Sequence, residues 1–183
     1  ITWGFSMGSL VALALIEQHA ATYDGANAAC AVGAGAPTAW DTGLAFALAY
    51  DVAFGWPASW GSVADVRDDI DFATEVAPVL AWQLDASNPD YAANLARFEF
   101  MRRVAGLPAD EFYPSPGKLG WLFLDMLFST QYRGELEARA GGPVAQNGNQ
   151  VYTLSSFDIG ALEALGLPQQ DSLALLDAMN ART

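Results

Sequence analysis

Cysteine, histidine and lysine are nearly absent from this chain of 183 residues, with Cys30, His19 and Lys118 the single representatives of their types. One cysteine excludes an internal disulfide and any cysteine-based metal cluster. In its apolar setting Cys30 reads as a small buried hydrophobe. Basic residues are scarce as a class, eight against 21 acidic ones, which gives a formal net charge of −13. Such a surface repels phosphate backbones and anionic lipid, so nucleic acid is not an expected partner. No apolar run reaches the roughly eighteen residues of a membrane span. The longest candidate, Leu119–Phe128, is broken by Asp125. There is also no internal repeat, no low-complexity tract and no signal-peptide pattern. The first residue is isoleucine, and only three residues precede the first glycine motif, so the chain is expected to be a piece cut on its N-terminal side. Its compartment and oligomeric state are left open.

What is abundant is apolar. Hydrophobic residues make up 52% of the chain and the mean hydropathy is +0.18. The length suits one domain with a sizeable core, or a small core carrying an insertion.

The most informative stretch is Gly4-Phe5-Ser6-Met7-Gly8, which fits G-x-S-x-G, the nucleophile elbow that holds a serine on a strained strand-to-helix turn. Glycines belong there because so sharp a turn leaves no room for a Cβ beside the serine. Ile1, Thr2 and Trp3 suit the end of a strand. Ser9–Glu17 reads as a helix apolar on nearly all sides, hence buried. After the turn signal Asp24-Gly25, the short apolar run Asn27–Ala36 suits a second strand buried on both faces. Strand, elbow, helix and strand follow the βαβ logic of a parallel sheet.

From Thr38 onward the pattern becomes helical. Thr38 and Asp41 have capping-box spacing, followed by Leu44/Leu48 and Phe46/Tyr50/Phe54 at helical intervals, with Gly55 and Pro57 as the stop. Ser59–Phe72 reads as a loop. Further helices are expected over Thr74–Leu84, from Asn88-Pro89 to Gly106, over Leu119–Ala138, over Ser156–Leu165 and over Ser172–Asn180. Val151–Leu154 suits a short extended piece. The expected class is therefore α/β: a partial parallel sheet in residues 1–37, then a mostly helical insertion in 38–183.

Elbow, helix, apolar strand and long helical stretch, taken in that order, resemble the α/β-hydrolase superfamily. The stretches Ala49–Pro57 and Asp65–Phe72 are similar in style to bacterial hydrolases with large caps. The resemblance implies a serine esterase or lipase-like enzyme in which Ser6 attacks an ester carbonyl and the backbone N–H of Met7 is one oxyanion donor. It implies Ala28–Ala36 as the sixth strand and Thr38–Asn180 as the cap. It places the acid and the histidine of the triad beyond Thr183, so that these residues alone form a catalytically incomplete piece. A two-strand piece with unpaired edges is expected to need the rest of the sheet. The partner is a small-molecule ester, and neither a cofactor nor a metal is called for. His19 lies thirteen residues after Ser6, about 20 Å along a continuous helix, far outside the reach of a base of roughly 3 Å.

Other residues carry two readings each. Asp41 is either a triad acid after the sixth strand or part of a helix cap. Asp65, Asp68, Asp69, Asp71 and Glu75 are a calcium-binding cluster or a solvated loop with caps. Lys118 is a solvated charge rather than the partner of a Ser-Lys dyad. Asp125 is either paired with an arginine such as Arg102 or facing solvent. Phe46, Tyr50, Trp56 and Trp60 are candidates to line an apolar pocket over Ser6.

Overall fold

The structure, a computed structural model, describes residues 1–29 and 36–182, and of 36–39 the backbone alone. The chain forms two compact units, Ile1–Ala39 and Trp40–Thr183. It is a mixed α/β protein, predominantly helical, with a two-stranded parallel sheet.

In the first unit, β1 (Thr2–Phe5) pairs in parallel with β2 (Ala26–Ala29), Thr2 opposite Ala26 and Phe5 opposite Ala29. Helix α1 (Met7–Gln18) connects them. Strand β1 runs beyond the expected Trp3, through Gly4 and Phe5, directly into the serine. The pleat then divides its side chains. Gly4 is buried, whereas Trp3 (67% exposed) and Phe5 (60%) lie on the open face. Helix α1 is not buried on all sides, as its composition suggests. Ser9 and Ala12 are its buried residues, while Met7, Leu10 and Val11 are exposed. Twelve residues of nearly uniform hydropathy carry no stripe, so the pattern alone does not reveal which face meets the sheet. The second strand begins at Ala26, and its expected continuation, Cys30 included, lies outside the described residues. Ala36, expected to be the strand's last residue, belongs instead to the next helix.

The second unit is helical and centres on α2 (Ala36–Phe54), whose start two residues before Thr38 puts Asp41 inside the helix rather than in its first turn. Pro37 fits the first turn of a helix, where the missing N–H costs nothing. A 3-10 turn at Ala58–Trp60 follows. The expected helix over Thr74–Leu84 is split into a π turn (Phe72–Val76) and α3 (Ala77–Gln83). Pro78 has no N–H to bond back, and the wider turn absorbs that gap. Helix α4 (Tyr91–Val104) starts after a turn in which Asn88 accepts from the Asp90 N–H at 2.9 Å and donates to the Trp82 carbonyl at 2.9 Å.

The long helix expected over Leu119–Ala138 is present as α5 (Gly120–Leu127) and α6 (Arg133–Ala140), joined by a π turn at Phe128–Tyr132. Hydroxyls hold the irregular turn. Ser129 donates to the Gly43 carbonyl at 2.8 Å, and Thr130 back-bonds to the Met126 carbonyl at 2.5 Å. Gly134 lets α6 pass the 61–67 loop, since a Cβ there would lie 2.5 Å from the Arg67 carbonyl oxygen. Val151–Leu154, expected as a short extended piece, belongs to no helix or strand. Instead the Asn180 side chain bonds both backbone groups of Tyr152, at 2.8 and 3.0 Å. Helix α7 (Ser156–Ala164) opens with a Ser155/Asp158 capping box, and α8 (Gln169–Asn180) follows Pro168.

The core of this unit is aromatic. Tyr50 lies 5.7 Å from Trp60 and 5.1 Å from Phe54, and Phe54 meets Phe98 at 4.7 Å between ring centroids. No helix among the described residues is long and apolar enough to cross a membrane.

Candidate functional site

Ser6 stands between the last residue of β1 and the first of α1 with φ 51° and ψ −121°. Among the described residues only Ser6 and Glu111 combine a side chain with a positive φ. A left-handed backbone at a residue with a Cβ costs about 1–3 kcal/mol and persists only where the surroundings impose it. Here they do. The Ser6 N–H donates to the Ala29 carbonyl at 3.1 Å, and the Ser6 carbonyl accepts from the Ser9 N–H at 2.9 Å. The serine is thereby tied to the end of β2 and to the first turn of α1.

The glycines have unequal roles. A Cβ on Gly4 would lie 1.9 Å from the Gly8 carbonyl oxygen and 2.7 Å from the Ser9 nitrogen, so the strand and helix touch there backbone to backbone. At Gly8 a Cβ meets no described atom within 4 Å. Crowding therefore demands Gly4, while Gly8 contributes the carbonyl that does the crowding.

Ser9 is the participant that motif reasoning misses. It is wholly buried, and its hydroxyl faces the Gly4 carbonyl at 2.9 Å and the Ala29 carbonyl more closely still. With a single proton it donates to one at a time, and it links the C-terminal ends of both strands to the helix. Its signal in the sequence is a lone hydroxyl three residues past the elbow serine, in an otherwise apolar helix.

The hydroxyl of Ser6 makes no capping bond to the helix, and the side chain is exposed. Met7 and Gly8, the first two helical residues, have N–H groups without intrahelical acceptors. They lie at the positive end of α1, a setting that favours negative charge. Serine oxygen and N–H donors without intrahelical acceptors thus share one exposed turn among the described residues.

His19 is the C-cap of α1, its N–H bonded to the Leu15 carbonyl at 2.9 Å. Twelve helical residues separate it from Ser6, about 18 Å of rise. It is not a base for this serine.

The remaining candidates lie in the helical unit. Phe46, Tyr50 and Trp60 are at most 1% exposed and pack ring against ring; Trp56, half-buried, meets Trp60 at 5.3 Å. Their surroundings are those of a core, which helical spacing does not distinguish from a pocket lining. Burial pushes the Tyr50 phenol up to about 12, with the Gln83 hydrogen bond pulling the other way. Asp41 accepts from the Gln146 N–H at 2.9 Å and fastens the 141–150 loop to α2, a use neither of its two readings contained.

Three of the five acids in the acidic cluster have partners close by. Arg67 bonds Asp69 and Glu75 at 2.9 Å each, and Asp71 caps the π turn through Thr74 at 2.8 Å. The described residues contain no group of three metal-ligating side chains. Lys118 pairs with Glu111 at the surface. Asp125 does not pair with Arg102 and is only partly open to solvent. Arg102 is engaged by Glu99, and one Asp125 carboxylate oxygen is buried without a partner. Burial raises its pKa to about 6.

Compared with protein-family models, with curated proteins and with solved structures, the chain matches none.

Proposed function

We propose that the chain carries the nucleophile of a serine hydrolase of the α/β-hydrolase type, acting on carboxylic esters, with the helical unit as its cap insertion. The Ser6 oxygen attacks the ester carbonyl carbon as a base removes its proton. The negative charge that develops on the carbonyl oxygen is taken by the Met7 N–H, with Gly8 as its neighbour. The intermediate collapses by breaking the bond to the alcohol oxygen, which receives the proton, and water then releases the acid from Ser6 by the same steps. Each oxyanion donor is worth about 3–4 kcal/mol to such a step. No histidine within residues 1–183 can reach Ser6, so the base and the acid that orients it come from outside these residues.

The observation that carries this reading is the strained φ of Ser6, held at a strand-to-helix turn by the close contact of Gly4 with Gly8. An exposed serine gains nothing structurally from such a conformation, whereas a nucleophile does. The test is turnover of a p-nitrophenyl ester by the protein as its gene encodes it. Ser6→Ala is expected to lower kcat by at least about a thousandfold, with the melting curve unchanged.

A second reading, a non-catalytic module of the same fold that binds rather than turns over, is favoured by the lack of a usable histidine, since His19 lies at the far end of α1. A folded protein with no ester turnover supports it.

A further inference from the structure

Arg133, the first residue of α6, is 1% exposed, yet its guanidinium is poorly matched. One nitrogen, Nη2, donates to the Val63 carbonyl. Nε and Nη1 have no hydrogen-bond partner, which leaves three N–H bonds free. The nearest carboxylate oxygen in an ion pair with it, Glu137 Oε2, lies at 3.7 Å from Nε, beyond hydrogen-bond reach. Arginine does not escape this situation by losing its proton. Burial works against the charged form and Glu137 only partly offsets it. A buried cation with idle donors is costly, and an anion that reaches it relieves that cost.

The structure provides room for one. Arg133 lines a half-open cleft of about 420 Å³ in the helical unit, whose walls include Leu44, Leu48 and Val63 beside Glu137 and Arg182. Arg182 is already engaged, with Asp51 at 3.0 Å and the Ala178 carbonyl at 2.7 Å. One guanidinium with idle donors beside Leu44, Leu48 and Val63, with the Glu137 carboxylate alongside and Gln146 and Asn147 completing a polar side, suits a single negative charge on an apolar body. A phosphate dianion asks for more cations than this, on a chain whose net charge is already −13.

We propose that this cleft is a binding site for a small monocarboxylate with an apolar tail, its carboxylate on Arg133 and its tail against Leu44, Leu48 and Val63. The site is independent of the Ser6 reading. It would hold for an enzyme or for a binding module.

Calorimetric titration of the protein with hexanoate, hexanamide and inorganic phosphate tests it. Hexanoate is expected to bind saturably and at least about tenfold more tightly than either of the others. Arg133→Gln is expected to erase the preference for hexanoate over hexanamide. Because that variant replaces a core residue, Ala145→Trp serves beside it. Ala145 sits on the cleft wall away from the core, and filling the cleft there is expected to weaken hexanoate about tenfold with the melting temperature unchanged. Equal binding of acid and amide, phosphate matching hexanoate, hexanoate affinity untouched by Ala145→Trp, or no saturation by about 10 mM each overturns the proposal. The last of these means that water alone occupies the cleft.

Discussion

Replacing Asp125 by asparagine is expected to stabilise the protein at neutral pH. The carboxylate sits on α5 among buried neighbours, with one oxygen lacking any partner, and its pKa is raised from 3.8 to about 6 by burial. The folded state therefore holds the proton more tightly than the unfolded state. The charge opposes folding fully above pH 6, and the opposition fades as pH falls from there toward 3.8. A shift of about two units corresponds to about 3 kcal/mol at pH 7. Water reaching the part-exposed carboxylate and the buried asparagine amide both reduce the gain, to about 1–2 kcal/mol. For a chain of this size that raises Tm by about 3–6 °C. Thermal unfolding of both proteins across pH 4 to 8 gives the result directly. The stabilisation is expected to be full at pH 7.5 and to vanish near pH 4. A variant that melts no higher than the parent at pH 7.5, or a gain independent of pH, refutes the argument.

Gly4→Ala inserts a Cβ at 1.9 Å from the Gly8 carbonyl oxygen, so the elbow must open. Loss of Ser6 reactivity with the helical unit still folded, judged by fluorophosphonate labelling beside circular dichroism, is the expected result; the same substitution at Gly8, which meets no described atom, is expected to be far milder. Glu99 binds Arg102 through bonds of 2.5 and 2.8 Å and Arg103 at 2.8 Å, and Arg103 continues to Asp158 on α7 at 2.6 Å. These groups are largely shielded from water, so Glu99→Gln is expected to cost about 2 kcal/mol in urea unfolding and to depend little on salt.

What was legible in the sequence and what was not separate along physical lines. The elbow was legible because it rests on backbone geometry, which Gly4 and a serine at the junction announce within five residues. The helices α4, α7 and α8 were legible from apolar spacing and from stops such as Gly106 and Gly166, whereas α5 and α6 read as one helix. The π turns were not, because one extra residue in a turn hardly disturbs a 3.6-residue pattern. Asp41 was misjudged because its partner, the Gln146 N–H, lies 105 positions away and leaves no local trace. Phe46, Tyr50 and Trp60 have the same spacing whether they face a ligand or other core rings, and in the structure Phe46 meets Phe112 while Tyr50 meets Trp60. Arg133 gave no signal at all. An arginine four residues before a glutamate reads as a surface ion pair, and only three-dimensional burial sets it apart.

Covalent labelling by a fluorophosphonate, with the modified peptide located by mass spectrometry, measures the reactivity of Ser6 most directly. In the protein as its gene encodes it, the label is expected on Ser6 and is lost in Ser6→Ala. In residues 1–183 alone, whose single histidine, His19, does not reach the serine, little or no label is expected. A folded protein that leaves Ser6 unmodified, or a label that persists in Ser6→Ala, contradicts the nucleophile assignment.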